Sequence, residues 1–223
     1  MSVFELSELA GQEKRPWRRS LWGVTALLLL SGLALMRNGS GEFDVGPPQP
    51  ASAAAPVTRD GTGTPSAPSA PLAFSAVGRV RIPAIRVDAA VVPVGLDSDG
   101  RVAAPPSDDA AAAGWFTGAV SPGENGTAVI VGHVGNRRGP AVFHGLGALK
   151  KGSRIEVLRK DGRTAVFETY GVEVFPKAGF PGDRVYGSKG APELRVITCG
   201  GGFSQQKGHD GDVVVSARLV AVS

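Results

Sequence analysis

Residues 154–175 read RIEVLRKDGRTAVFETYGVEVF, and this stretch decides the fold class because it describes two strands and the turn that joins them. β-branched and aromatic residues recur in both halves and favour extended backbone. Asp161-Gly162 stands between the halves, and this dipeptide is typical of tight hairpin turns. The stretch predicts a β-hairpin with strands over Arg154–Leu158 and Thr164–Phe175.

Short runs rich in Val and Ile predict further strands on both sides of this hairpin. Asp99-Gly100 and Asn125-Gly126 supply turn signals between them. Residues 140–149 predict one short helix, which ends at Lys150-Lys151-Gly152. Many short strands with few helices indicate a mainly β domain, either a closed barrel or a sandwich. The predicted strands are Val77–Ile82, Val87–Val94, Thr127–Val134, Leu194–Thr198 and Asp212–Val222.

The residues before this domain include an apolar run with a basic flank. Residues 21–36 carry no charge, and Lys14, Arg15, Arg18 and Arg19 precede them. The run is at the short end for a bilayer-spanning helix, which typically needs ~20 residues. Basic residues before an apolar run favour a cytoplasmic N-terminus. The pattern predicts an uncleaved signal anchor; a cleaved signal peptide is the alternative, although residues 36–38 do not resemble a cleavage site.

Composition divides the chain into four segments. Residues 1–20 are assigned to a cytoplasmic N-terminus and residues 21–37 to a single transmembrane signal anchor. Residues 38–75 are rich in Pro, Ala, Ser, Thr and Gly and predict a disordered linker. Residues 76–223 are long enough for one domain with its own core, and we expect this domain to face the cell exterior.

Charge and ligand content argue against two classes of function. Lys and Arg number 24 against 20 Asp and Glu, a net charge of +4 that is interleaved along the chain. Nucleic-acid-binding domains more often show a basic stripe with an identifiable motif, so we expect no nucleic-acid partner. The three histidines and one cysteine are widely spread. Zinc sites group such ligands, so we expect neither a metal nor another cofactor.

Cys199 is the only cysteine of the chain, and a short strand-like run delivers it into Gly200-Gly201. Exported proteins usually pair their cysteines as disulfides, and a single cysteine has no partner within the chain. Cys199 is therefore a nucleophile, an intermolecular partner or a buried inert thiol. A nucleophilic cysteine acts as the thiolate, and a nearby base or cation favours that form.

Three histidines are candidates for the base. His133 directly follows the apolar run at 127–132, a typical way to present a side chain at the rim of a scaffold. His144 lies in the predicted short helix, where a partly buried packing role is the simpler interpretation. His209 lies in a Lys-Gly-His-Asp segment, which we interpret as a solvated turn. His133 is therefore the favoured partner of Cys199.

Five stretches of the domain form a longer pattern around these two residues. They are RIPAIRVD at 81–88, VPVGLD at 92–97, AVIVGHV at 128–134, FPGDRVYG at 180–187 and LRVITCGG at 194–201. In this order they resemble the sortases, the cysteine transpeptidases of Gram-positive bacteria. The likeness is nearest to the actinobacterial type called class F, and it spans the domain from Val77 onward.

The resemblance implies a fold and an activity. The fold would be a closed eight-stranded β-barrel with one or two short helices, preceded by the transmembrane helix. The enzyme would be a sortase-type cysteine transpeptidase or peptidase that cleaves an LPXTG-like signal through a thioacyl intermediate. Cys199 would attack the Thr–Gly bond and His133 would act as general acid and base. Thr198, at the position before the nucleophile, would shape the substrate-binding site.

The resemblance also implies partners and a location. The substrates would be secreted proteins with a C-terminal LPXTG-like sorting signal. The acceptor would be a peptidoglycan precursor or another cell-wall amine. The enzyme would sit in the cell membrane as a single-pass protein, with its N-terminus in the cytoplasm and its catalytic domain outside.

The sequence departs from the family after the nucleophile. An Arg generally follows the cysteine there and stabilises the oxyanion. Residues 200–212 contain no Arg, and Ser204 replaces the usual Asp after the loop Phe. Arg218 is the first Arg after Cys199, but six residues at ~3.3 Å each put it ~20 Å beyond Asp212. Other cations that could substitute are Lys207, Arg137 and Arg138.

Two rival interpretations remain open at this point. One is a catalytically impaired barrel that binds sorting-signal peptides or cell-wall material. The other is a cell-wall transpeptidase of the L,D type. Such enzymes place Arg directly after the cysteine, and Gly200 stands there instead, so this second alternative ranks low.

Overall fold

The computed structural model describes residues 47–50, 70–188, 190–204 and 208–223, with side chains at all of these positions except 199–204 and 208–209. The predicted signal anchor and most of the predicted linker lie outside the described residues. Within the described part, no helix is both long and apolar enough to cross a membrane.

The described residues contain ten strands, one short α-helix and two 3₁₀ turns. The helix, α1, covers Gly182–Tyr186, and the 3₁₀ turns cover Pro83–Ile85 and Leu146–Ala148. The strands are β1 (Val77–Ile82), β2 (Val87–Val94), β3 (Ala113–Phe116), β4 (Gly126–Gly132), β5 (Gly135–Asn136), β6 (Gly139–Pro140), β7 (Arg154–Arg159), β8 (Thr164–Pro176), β9 (Pro192–Ser204) and β10 (Gly208–Val222).

Eight of these strands close into a barrel in the order β1-β2-β3-β4-β9-β10-β8-β7, while β5 and β6 form a separate pair. The predicted eight-stranded barrel is confirmed, and the sandwich is excluded. β2 runs parallel to β3, and β4 runs parallel to β9, whereas the other barrel pairs are antiparallel. The hairpin predicted at Asp161-Gly162 joins β7 to β8, and Gly162 adopts φ +85° in its turn.

Alternate residues of the strands fill two apolar clusters. Strand side chains point to opposite faces, so one face packs inside the barrel and the other outside it. Val80, Ile155 and Phe167 belong to the interior cluster and are fully buried. A second cluster, which includes Val129, Ile197 and Val214, lies on the opposite face of β4, β9 and β10.

Two local predictions need correction, and one strand was not predicted. The helix predicted at 140–149 is reduced to the 3₁₀ turn Leu146–Ala148, because Gly145 and Gly147 have low helix propensity. His209 does not lie in a turn, since its backbone pairs with Phe203 in the β9–β10 ladder. The sequence pattern did not predict strand β3.

A buried arginine fastens the segment before β1 to the barrel. The Arg159 side chain, at the end of β7, donates hydrogen bonds to the carbonyl oxygens of Ala73 and Pro122 and to the Ser121 hydroxyl. It also contacts Asp161 with an N–O distance of 3.1 Å. Backbone Leu72 N–H donates to Gly123 O at 2.8 Å. The chain therefore enters the barrel beside the β7–β8 turn.

Candidate active site

The strand register brings positions 133 and 199 together. β4 and β9 are parallel neighbours, and Val131 pairs with Ile197. Positions 133 and 199 each follow this pair by two residues, and His133 directly follows the end of β4, so the register directs both positions toward the same end of the barrel. On its other side, Cys199 is the Cα partner of Asp212 in β10.

A cavity of about 580 Å³ opens beside these positions. His133, Thr198 and Asp212 line it at the strand ends, and the aromatic side chains of Phe116 and Phe180 contribute an apolar wall. Because Asp212 pairs with Cys199 and lines the cavity, the cavity borders the position of the only cysteine.

His133 is held by a backbone carbonyl. Its Nε2 lies 2.8 Å from the carbonyl oxygen of Pro105. A carbonyl only accepts hydrogen bonds, so the proton of this bond belongs to Nε2. Neutral His133 then carries its lone pair on Nδ1, which is the nitrogen left to take up a proton. The carbonyl of Pro105 therefore fixes the orientation of the imidazole ring.

The loop that carries Pro105 is itself fastened to the segment after His133. Val142 N–H donates to Ala110 O at 2.7 Å, and the Asn136 side-chain amide donates to Ser107 O at 3.3 Å. The loop between β2 and β3 therefore contacts the His133 segment at three places. This arrangement fixes the imidazole from outside the barrel sheet.

Thr198 links the two central strands from within. Its hydroxyl donates to Gly132 O at 2.8 Å, and the residue is 3% exposed. The bond joins the residue before Cys199 to the residue before His133. Thr198 lines the cavity, and its hydroxyl proton is engaged with the backbone, so its substrate-binding role stays a prediction.

The candidate cations separate into those near the cavity and those away from it. Arg218 pairs with Glu168 at 3.1 Å and stands six residues along β10 from the Cys199 partner Asp212, so it is not a cavity residue. Arg137 and Arg138 are exposed in the β5–β6 turn and do not line the cavity. Lys207 lies outside the described residues.

Two cationic residues that were not among the sequence-based candidates line the cavity. Arg101 lies in the β2–β3 loop, and Lys177 directly follows β8. The Asp97 carboxylate accepts backbone N–H bonds from Asp99 and Arg101, both at 2.9 Å, which fixes the turn that presents Arg101. The turn signal at Asp99-Gly100 could have drawn attention to Arg101, whereas no local pattern marks Lys177.

Tyr186 adds a hydrogen-bond donor to the cavity wall. Burial raises the pKa of this phenol, and the negative charge of Asp212 raises it further. Tyr186 therefore keeps its proton at neutral pH. Among the described residues, no group of three or more His, Cys, Asp or Glu side chains is placed to hold a metal ion.

Comparison with known proteins agrees with this geometry. The sequence model of a family described as a sortase domain matches residues 80–220. The SrtA sortase from Actinomyces oris is similar in structure, with a TM-score of 0.51 and 21% identity over 71% of this chain and 88% of that chain. Sortase C-1 from the same organism has a TM-score of 0.51 and 23% identity over 64% of this chain and 73% of that chain.

A lid mutant of sortase A from Corynebacterium diphtheriae gives a TM-score of 0.51 and 18% identity, over 67% of this chain and 73% of that chain. At these identities the solved structures support the fold. No curated protein matches the chain.

Proposed function

Because the chain belongs to the sortase family, we propose that it is a cysteine transpeptidase that cleaves an LPXTG-like sorting signal and transfers the protein to a cell-wall amine. One observation carries the proposal. The parallel register that ends at Val131–Ile197 directs His133 and Cys199 toward the same end of the barrel, beside a cavity that His133 lines. A nucleophile within reach of an oriented base is the arrangement that thiol acyl transfer needs.

In the proposed reaction, the Cys199 thiolate attacks the carbonyl carbon of the Thr–Gly bond. The resulting oxyanion collapses, the C–N bond breaks, and protonated His133 gives its Nδ1 proton to the leaving amine. An acceptor amine then attacks the thioester and loses a proton to His133. The C–S bond breaks and the Cys199 thiolate is restored.

The oxyanion of both steps requires a positive charge or hydrogen-bond donors in the cavity. We assign this role to Arg101 and Lys177, since both line the cavity that His133 lines. Lys177 follows β8, so it approaches from the side of β9 opposite to His133. A substrate carbonyl above Cys199 would then lie between the base and this ammonium group.

The remaining features of the proposal concern substrate and location. The apolar wall with Phe116 and Phe180 suits the aliphatic part of a sorting signal. The basic, apolar N-terminal segment supports a single-pass membrane anchor, with the barrel outside the cell and the N-terminus in the cytoplasm. The five sequence stretches favour the class F type.

A second function is favoured by one observation. Asp212 is the Cα partner of Cys199 across the β9–β10 ladder and carries a negative charge. A neighbouring negative charge disfavours the thiolate. This placement suits a catalytically impaired barrel that binds sorting-signal peptides without cleaving them.

The test incubates the purified full chain with a labelled LPXTG-type peptide and an amine acceptor. A transpeptidase gives an acyl mass added to Cys199 and a ligated product, and Cys199→Ala gives neither. Peptide binding with no adduct and no product would exclude the transpeptidase and support the barrel that only binds sorting-signal peptides. The matched control, Arg218→Gln, changes a cation outside the cavity and should leave the product yield unchanged.

A further inference from the structure

Helix α1 forms part of the cavity wall but is too short to be stable alone. It spans Gly182–Tyr186, and Tyr186 lines the cavity together with Phe180 just before the helix. Isolated helices of fewer than about 12 residues are marginal in water. The position of Tyr186 therefore depends on what holds the helix from outside.

Two barrel strands hold the C-terminal end of α1 through side chains. From β9, Arg195 donates its Nε–H to Val185 O at 2.9 Å. From β4, the Thr127 hydroxyl donates to Gly187 O at 3.1 Å. The Val185 side chain is 2% exposed and packs in the second apolar cluster with Ile197. These contacts bracket Tyr186 on both sides.

The positive charge of Arg195 is compensated by the side chains of Glu193 and Tyr170. Arg195 is 3% exposed, and its guanidinium lies 2.6 Å from Glu193 Oε2 and 5.9 Å from the centre of the Tyr170 ring. The Tyr170 hydroxyl donates to Glu193 Oε1 at 3.2 Å. A buried ion pair contributes little net stability compared with apolar packing, so the network is better explained by the position it imposes.

We propose that Arg195 is a positioning residue for the peptide, which fixes the α1 wall of the cavity against the strand that carries Cys199. Arg195 lies four residues before Cys199 on β9 and holds the carbonyl next to Tyr186. The distance between β9, which carries Cys199, and α1, which carries Tyr186, is thereby fixed. This inference rests on the proposed peptide substrate, and Arg195 itself touches no reacting atom.

The kinetic test compares Arg195→Met with Arg218→Met in the full chain. Arg218 is an exposed, ion-paired arginine on the neighbouring strand and serves as the matched control. We expect Arg195→Met to raise KM for a sorting-signal peptide by about tenfold, the order expected when a hydrogen bond that involves a charged group is lost. The value of kcat and the alkylation rate of Cys199 by iodoacetamide should stay near wild type. An unchanged KM would overturn the proposal.

A second variant guards against a folding defect in Arg195→Met. Thr127→Val removes the hydroxyl that holds Gly187 O and leaves the Arg195–Glu193 pair intact. It should raise KM in the same direction with an unchanged kcat. A fall of kcat with unchanged KM in either folded variant would contradict a role in peptide positioning.

Hydrogen exchange separates this inference from the proposed function. The amides of Val185 and Gly187 donate to Pro181 O and Asp183 O and close the two ends of α1, so they report the stability of the helix without any peptide. Both should exchange faster in Arg195→Met than in Arg218→Met. If the wild-type protein processes no peptide, the proposed function is wrong, but faster exchange in Arg195→Met still supports the role of Arg195 in holding α1. If exchange is unchanged in an active enzyme, only the proposed role of Arg195 is wrong.

Discussion

His133 Nε2 donates a hydrogen bond to the carbonyl oxygen of Pro105 over 2.8 Å, although the two residues are 28 positions apart in the chain. The imidazole is therefore oriented by a loop between β2 and β3 rather than by a neighbouring carboxylate. The rigidity of that loop becomes part of the proposed catalytic apparatus, because an acid–base group acts only when it is held in the correct geometry.

Loosening this loop should lower the reaction rate. Pro105 is buried, and Pro105→Gly keeps the carbonyl while it adds backbone freedom. We expect kcat for peptide transfer to fall roughly tenfold, with little change in KM, since displacement of a catalytic group is costly. The control is Asp108→Gly at an exposed position of the same loop. Equal effects of the two variants would argue against a special role of Pro105.

The cavity cations should matter for turnover. Lys177→Ala and Arg101→Ala should each reduce kcat/KM for peptide at least tenfold, because removal of one oxyanion donor typically costs ~10²–10³ in rate. Arg218→Ala should have no effect, since its guanidinium pairs with Glu168 away from the cavity. The measurement is steady-state transfer of a labelled peptide to an amine. Full activity of both cavity variants would show that another residue stabilises the oxyanion.

Acid should weaken the fastening of the chain before β1. Hydrogen bonds from the Arg159 side chain, together with bonds from Arg163, lower the pKa of Asp161 from 3.8 to about 2. The folded state therefore favours the charged carboxylate. Its stabilising contribution is complete above about pH 4 and is lost as the pH falls through about 2.

Asp161→Asn should accordingly be less stable than wild type at pH 6, with a difference that shrinks as the pH approaches 2. Urea denaturation at a series of pH values measures this. Asp108→Asn provides the control, because Asp108 makes no ion pair within the described part of the chain. A stability difference independent of pH would exclude the carboxylate charge as its cause.

One buried hydroxyl offers a stabilising substitution. Thr169 is 1% exposed, and its Oγ1 has no hydrogen-bond partner among the described residues. Thr169→Val replaces the hydroxyl with a methyl group of similar size. The free energy of unfolding should rise by about 1 kcal/mol, since an unsatisfied buried polar group is costly.

Thermal unfolding measures this gain, and Thr198→Val is the comparison. Because the Thr198 hydroxyl donates to Gly132 O, its removal should lower the melting temperature instead. A fall in stability for Thr169→Val would show that the hydroxyl has a partner in solution.

The elements that the sequence predicted well are those set by local pattern. Strands β1 and β2 begin and end where the Val- and Ile-rich runs do, and Asp161-Gly162 makes the expected turn. Strand β3 was not predicted because it has only four residues and begins with the weak strand formers Ala113 and Gly114, and its extended backbone depends on pairing with β2 and β4. Helix α1 was missed because side chains from distant strands hold it.

The candidate site divides in the same way. Cys199 and His133 follow apolar runs, so they could be picked out from the sequence alone. Arg101 has only a neighbouring turn signal at Asp99-Gly100 and Lys177 has no local signal, and only the closure of the barrel brings them to one cavity. The carbonyl of Pro105 carries no side-chain signature, so no sequence argument could have identified it.

The hydrogen bonds of the buried Arg159 side chain have a mechanical consequence for the barrel. Arg159 precedes the start of β8, while Lys177 follows the end of that strand, roughly 40 Å of extended chain further on. A pull on the chain before β1 is therefore taken up at the β7–β8 turn, by a buried guanidinium and three backbone carbonyl or hydroxyl oxygens. Since Ser121 and Pro122 lie in the loop between β3 and β4, part of this load passes to the segment that leads into β4 and His133.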